Sequence, residues 1–389
     1  MKSLVKTLIL TSFIGLSSCG DDPVDPTPTP VPSPTPDDTT IVKPQPRDSI
    51  DLVKGADISW CTQMEDNGHS FFAFSSSEPK ECTEVMKELG VEAIRLRVLV
   101  NPSDGYCNKE DVLQKALRAS RLGLDLMIAF HYSDVYATSQ NQKMPTAWEG
   151  LDFNQLIDSV ASHTVEALRL LRENDVTVKW VQIGNETSKG MLFPMGDIEK
   201  NPAQYRTLFS VASDSARSVY PDAKIVTYFA RGFDQELYEK NLNLLDGNKY
   251  DIVGFSLFPS MAVGELFTTT RFKELMSIES EEQAIQYTFA NMDMVYNKVR
   301  KPCMLVEMGL PFRKDGTFET KSTLQMKQIM LDASDIGVCQ GVFYLEPESY
   351  EGWNGYTMGM FLPNGRPSTI LDAYGTRYWS YGTRCHTEL

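Results

Sequence analysis

Positive charge is what this chain has least to spare: 37 Lys and Arg stand against 52 Asp and Glu, a formal net charge of −15. Phosphate backbones and anionic lipid surfaces are bound by clustered Lys and Arg, so the balance argues against a nucleic-acid partner and against a polybasic membrane contact. No cysteines show the C-x-x-C or Cys/His spacing of a zinc site. No internal repeat is visible, so the chain is not read as stacked units. The apolar run from Leu8 to Leu16 is too short to span a bilayer, which takes about 20 residues.

That run has the form of an export signal. Lys2 and Lys6 precede it, and Leu16-Ser17-Ser18-Cys19 resembles the lipobox at which lipoprotein signals are cut and the cysteine is acylated. Residues 1–18 are therefore read as a signal peptide, with Cys19 lipidated and the membrane reached only through that anchor. Nine prolines between Pro23 and Pro46, separated by Asp, Thr and Ser, make residues 19–50 an extended spacer with nothing to pack. Six further cysteines, at 61, 82, 107, 303, 339 and 385, allow fifteen pairings. Most sit in apolar segments where a free cysteine behaves as a small hydrophobe, and no disulfide is assigned.

Residues 51–389 form the expected folded domain, with order beginning near Leu52. Eight short apolar runs read as strands: Val53–Ile58, Ala93–Leu99, Asp125–His131, Lys179–Ile183, Lys224–Tyr228, Ile252–Ser256, Met304–Val306 and Gly341–Tyr344. Between them Leu, Ile, Val and Met recur at helical spacing over Glu81–Leu89, Lys109–Arg121, Leu156–Glu173, Gln204–Val219, Glu281–Arg300 and Thr323–Ile336. Eight strands alternating with helices predict a (β/α)8 TIM barrel, in which function sits at the C-terminal strand ends. Asp57, Arg95, Arg97, His131, Tyr132, Ser133, Asp134, Asn185, Glu186, Glu307, Tyr344 and Glu346 collect there.

Two of these strand ends, in Val181–Glu186 and Met304–Gly309, deliver glutamates 121 positions apart. Hydrolysis of a glycosidic bond with retention takes one proton-donating carboxyl and one attacking carboxylate, held about 5–5.5 Å apart, and only a fold that joins distant strand ends can supply the pair. The bland alternative is a helix cap or a partner for a surface lysine. Arg97 is expected to hold the attacking carboxylate ionised, and alternation suggests that only one of Arg95 and Arg97 faces the axis. The Asn185 amide suits a sugar 2-hydroxyl. His131 is read as a sugar ligand ahead of a buttress for the acid.

Taken in order, Gly55-Ala56-Asp57-Ile58-Ser59, Arg95-Leu96-Arg97-Val98, His131-Tyr132-Ser133-Asp134, Gln182-Ile183-Gly184-Asn185-Glu186, Val306-Glu307 and Lys143-Met144-Pro145-Thr146-Ala147-Trp148 resemble the endo-β-1,4-galactanases of glycoside hydrolase family 53, from Leu52 to about Tyr374. The resemblance implies Glu186 as acid/base, Glu307 as nucleophile, and internal, retaining cleavage of the β-1,4-galactan side chains of pectin. Asp57, Arg97, His131, Asn185, Trp148 and Tyr344 would bind the galactan or its oligosaccharides. Two departures stand out. Ser256-Leu257-Phe258-Pro259-Ser260-Met261 replaces a tyrosine-rich stretch ending in tryptophan, and Leu345 replaces a tryptophan, leaving Trp60, Trp148 and Trp353 as candidate sugar platforms. Some relatives bind calcium near the Arg313–Thr323 loop, but the spacing of Asp315 and Glu319 does not carry that over, and no metal or other cofactor is assigned. Asp21-Asp22 behind the lipidated cysteine resembles surface-export signals of some Gram-negative glycan degraders, placing the chain on the outer membrane, facing out. The competing readings are a retaining glycanase of the same barrel clan acting on mannan, xylan or β-glucan, and a surface lipoprotein that holds glycan without cutting it.

Overall fold

The structure, a computed structural model, describes residue 47 and residues 50–264, 278–311 and 317–375. The signal segment, Cys19, the spacer apart from Arg47 and Ile50, Asp315 and Cys385 lie outside the described residues. No helix among the described residues is long and apolar enough to cross a membrane. The thiols of Cys61, Cys82, Cys107, Cys303 and Cys339 are free and buried.

Eight parallel strands close into one barrel in sequence order: β1 (Val53–Asp57), β2 (Ala93–Val98), β3 (Asp125–Phe130), β4 (Trp180–Ile183), β5 (Lys224–Tyr228), β6 (Ile252–Leu257), β7 (Cys303–Met308) and β8 (Cys339–Leu345). Every expected strand is present. The three C-terminal strands run further than the apolar runs suggested, so Glu307 lies inside β7 and Leu345 ends β8. Helices cover the outside. The Lys109–Arg121 helix matches its expected bounds, with the Asn108 side chain accepting from the Asp111 N–H. The Phe153–Glu173 helix begins three residues before its apolar pattern, because Asp152 and Gln155 form a reciprocal capping box. Helices at Cys61–Asp66, Gln235–Leu244 and Pro259–Gly264 were not expected, being too short or too polar to show a repeating stripe.

Both faces of the sheet are buried, and alternation assigns each residue to one of two cores. Ile94, Leu96, Val98, Val342 and Tyr344 face the helices. Ala93, Met127, Trp180, Val226, Ile252, Met304, Val306 and Phe343 fill the barrel interior, where the Trp180 and Phe343 rings meet edge to face at 6.0 Å. Alternation alone would send Glu307 outward, because its neighbour Val306 points inward. A register shift between Phe255 and Ser256 sets Ser256 opposite Glu307, and a second irregularity lies between Leu305 and Met308. A bulge of this kind puts two successive residues on one side, and Glu307 therefore reaches the axis.

The interior leaves no room at Gly55, where an added Cβ would lie 2.3 Å from the Phe343 ring. Gly55→Ala is expected to lower stability by about 1–3 kcal/mol, the usual range for overpacking. Chemical denaturation checks this, and the loss should shrink when Phe343→Leu is added; an additive double variant would contradict the contact.

Candidate active site

Arg95 is the centre of the polar layer above the apolar plug. It is fully buried, and its Nη1 pairs with Asp57. Its Nε and Nη2 donate to Gln182 Oε1 at 3.1 and 3.0 Å, and Nη2 donates to Asn185 Oδ1 at 2.8 Å. Glu307 Oε1 lies 2.9 Å from Nη2, an ion-pair contact made while both Nη2 hydrogens are committed elsewhere. Glu307 Oε2 accepts from the Tyr228 hydroxyl at 2.9 Å. Burial lowers the pKa of Arg95, but the carboxylates of Glu307 and Asp57 more than offset it, and the guanidinium holds its proton above the ordinary value. Asp57 is closed off from substrate, since Ser59 occupies it as well through its N–H at 3.0 Å and its hydroxyl.

Two expectations are corrected here. The arginine beside Glu307 is Arg95, not Arg97. Both arginines face inward, because residues two apart on a strand share a side. Arg97 sits toward the mouth, pairs with Glu346, and lies between the rings of Trp60 and Tyr136, each 5.3 Å from its guanidinium carbon. Glu346 is fixed in turn by the Trp60 N–H at 3.0 Å.

Past β4 the chain turns sharply. Gly184 has φ +74°, and a Cβ there would meet Thr187 Cγ2 at 2.4 Å, so this position needs glycine. Glu186 itself has φ +47°, and Tyr132 and Glu346, just past β3 and β8, are left-handed too, at +49° and +47°. Non-glycine residues in this region carry strain. The Glu186 carboxyl accepts from the Ser139 N–H at 2.8 Å. Asn185 accepts from Arg95 and Gln182 and donates to Ala137 O at 3.0 Å, which leaves one amide hydrogen. Burial raises the pKa of both Tyr136 and Tyr228, and Glu307 and Glu186 each add to it.

Three other expected sugar ligands are placed elsewhere. His131 is buried, accepts from the Ala137 N–H through Nδ1 at 3.1 Å and sets its ring edge against Tyr136 at 4.9 Å. Burial, with Arg95 and Arg97 nearby, pushes its pKa well down, so it is a neutral buttress of this loop. Trp148 packs in the outer core with its ring edge on His163 at 6.0 Å. Tyr344 points outward from β8, and its hydroxyl is taken up by Leu310 and Met358 backbone groups. The Arg313–Thr323 segment is not the loop expected: residues 317–323 open the Thr317–Asp335 helix, and residues 313–316 lie outside those described; no cluster of metal-binding side chains occurs among the described residues.

Above this layer opens a cleft of about 810 Å³, lined by Trp60, Arg97, Tyr136, Glu186, Glu346 and Met358 among others, and by Leu345 where the tryptophan would stand. Of the three candidate platforms, Trp60 is the one at the cleft, held edge-on by Tyr356 at 5.6 Å. Tyr228 ends β5 on its inward face, so alternation alone would have found it. Tyr136, Ser139 and Tyr356 lie in loops without periodicity, and nothing in their spacing marks them.

A closed (β/α)8 barrel with one glutamate just past β4 lining the cleft and another in β7 braced by Arg95 and Tyr228 defines a barrel glycosidase. The profile described as Glycosyl hydrolase family 53 matches residues 53–367, and the chain belongs to that family. It is 31% identical over 217 residues to a protein of Niallia circulans, covering 54% of this chain and 59% of that one. It is 28% identical over 316 residues to a probable arabinogalactan endo-β-1,4-galactanase A of Aspergillus tubingensis, covering 76% and 84%. A solved fungal β-1,4-galactanase shares the fold with a TM-score of 0.70 at 24% identity, over 82% of this chain and 98% of that one.

Glu348, two residues beyond Glu346, is fully buried; burial and the neighbouring Glu346 raise its pKa well above the ordinary 4.5. A raised folded-state pKa means that the protonated form stabilises the fold below 4.5, and that this contribution is lost as pH rises toward the raised value. Glu348→Gln, which cannot ionise, is therefore expected to gain melting temperature over the parent chain as pH goes from 4 to 8. A constant difference across that range would contradict it.

Proposed function

We propose that this chain is a retaining endo-β-1,4-galactanase acting on the galactan side chains of pectin. The observation that carries the reading is the pair of strand-end glutamates, Glu307 braced by Arg95 and Tyr228 and Glu186 lining the cleft, in a chain whose relatives include named galactanases. In the first step Glu307 attacks the anomeric carbon while Glu186 gives its proton to the departing glycosidic oxygen; Glu186 then takes a proton from the water that breaks the galactosyl–enzyme bond. Arg95 and Tyr228 hold the Glu307 carboxyl in place. Charge around the cleft supports a neutral polymer over a uronate, since Arg95 and Arg97 are already matched by Asp57, Glu307 and Glu346.

A reducing-sugar assay on potato galactan, with mannan, xylan and β-glucan alongside, tests the substrate. Galactan should be cut in preference. Glu307→Ala should abolish turnover while galacto-oligosaccharides still bind, and Glu186→Ala should lose about 10²–10⁴-fold, as expected for a general acid. Substantial turnover by Glu307→Ala, preference for mannan or xylan, or galactan binding without cleavage by the parent chain would each refute the proposal.

We further propose export with lipidation at Cys19 and outer-membrane tethering on the cell surface, supported by the lipobox, Asp21-Asp22 and the proline-rich spacer. Cells fed a clickable palmitate analogue should label the chain, and Cys19→Ala should abolish the label; labelling that survives would refute it. Protease added to intact cells should remove the protein, and full protection would refute outward placement.

A further inference from the structure

A second cavity of about 570 Å³ adjoins the cleft, and Gln140 lines both. Its walls come from two loops, 140–151 after β3 and 193–195 after β4. Phe193, Pro194, Met195, Met144 and Leu151 give it an apolar side, while Gln140, Asn141, Lys143 and Glu149 give it an exposed polar rim. The loops are stitched together: the Phe193 N–H donates to Gln142 O at 2.8 Å, and Lys143 and Phe193 form a parallel bridge. Gln142 is buried and ties the cavity to the catalytic loop, its Nε2 donating to Asn185 O at 2.7 Å and Thr138 O at 2.9 Å. Lys189 holds Gln140 at the shared rim, with Nζ 3.1 Å from Oε1.

The cavity's chemistry and position fit one ligand. A hexopyranose has a C–H face and a hydroxyl edge, which match an aromatic and aliphatic wall beside a polar rim. In galactose the axial 4-hydroxyl leaves the opposite ring face as an unbroken patch of C–H groups. The side of the bound polymer is fixed by Glu186. That carboxyl rests on the Ser139 N–H, on the 138–140 segment between cleft and cavity. An acid/base carboxyl faces the leaving oxygen, so the part of the polymer that departs, toward the reducing end, is the part on this segment's side.

We infer that this cavity is a distal subsite for the leaving side of a β-1,4-galactan chain, with Phe193 as its stacking platform. The inference rests on the galactanase reading above. Binding energy from a remote sugar acts on kcat/KM for long substrates and leaves the bond-breaking groups untouched. Phe193→Ala is therefore expected to lower kcat/KM on galactohexaose about tenfold, worth about 1.4 kcal/mol. It should leave a short aryl galacto-oligosaccharide, whose leaving group is nitrophenol and stops short of the cavity, within about twofold of the parent; tenfold is again the scale that counts as loss.

Reducing-end-labelled galactohexaose gives a readout that general damage would not move. With the distal subsite weakened, the oligosaccharide slides toward the other side, and the labelled fragments become shorter. If Phe193→Ala does not fold, the exposed double variant Asn141→Ala/Lys143→Ala should show the same shift with a smaller loss. An unchanged fragment pattern in a folded variant, or equal losses on long and short substrates, overturns the subsite while leaving the galactanase reading intact. A parent chain inert on both galactan and the aryl substrate overturns that reading, and the subsite with it.

Discussion

The arrangement at the mouth depends on a guanidinium that cannot reach water. An unpaired charge buried on the axis of a barrel would cost several kcal/mol, so Arg95 forces its surroundings to be acidic and well aligned. Asp57 from β1, Gln182 and Asn185 from β4, and Glu307 from β7 all answer to it. Three strand ends are thereby fixed relative to one another by a side chain from a fourth, β2. Removing Asp57 or Glu307 would leave that cation less compensated, and removing Gln182 would leave its Nε–H without an acceptor. The catalytic geometry is thus a by-product of satisfying one cation.

Beneath that layer the interior is apolar, and above it a second buried ion pair is flanked by half-buried rings. Trp180 and Phe343 plug the barrel, Arg95 and its partners form the middle, and the Arg97–Glu346 pair with Trp60, Tyr136 and Tyr356 forms the rim. This order from dry to wet is what lets one glutamate be braced and buried while another, on a turn past β4, meets the cleft. The β6–β7 irregularity is needed for it, since a regular β7 would aim Glu307 at the helices.

Much of this was legible in the sequence. Strands buried on both faces read as short apolar runs, and all eight were found because nothing else in the chain resembles them. The two glutamates were found because apolar runs that end in a carboxylate are conspicuous. Which face a strand residue takes depends on parity, which a bulge or a misplaced strand end inverts. A strand end alone puts Tyr344 at the site and gives Tyr228 no role, yet alternation from the inward-facing Phe343 and Val226 turns Tyr344 outward and Tyr228 inward. The Arg95/Arg97 reading failed by the same parity. Trp148 departs from its expected place for a different reason: packing against His163 is a long-range fact that local pattern does not contain. The bulge that aims Glu307 and the loops carrying Tyr136 and Tyr356 are set by tertiary contacts, and no spacing rule announces them.

The left-handed backbone at Glu186, Tyr132 and Glu346 bears on how the protein can change over time. Such positions are most comfortable for glycine or asparagine, so drift toward greater thermal robustness would tend to erase these side chains. Where they persist in descendants, activity is being maintained against a downhill thermodynamic slope. A lineage that abandoned catalysis but kept the barrel should lose them early, well before the hydrophobic plug shows any change.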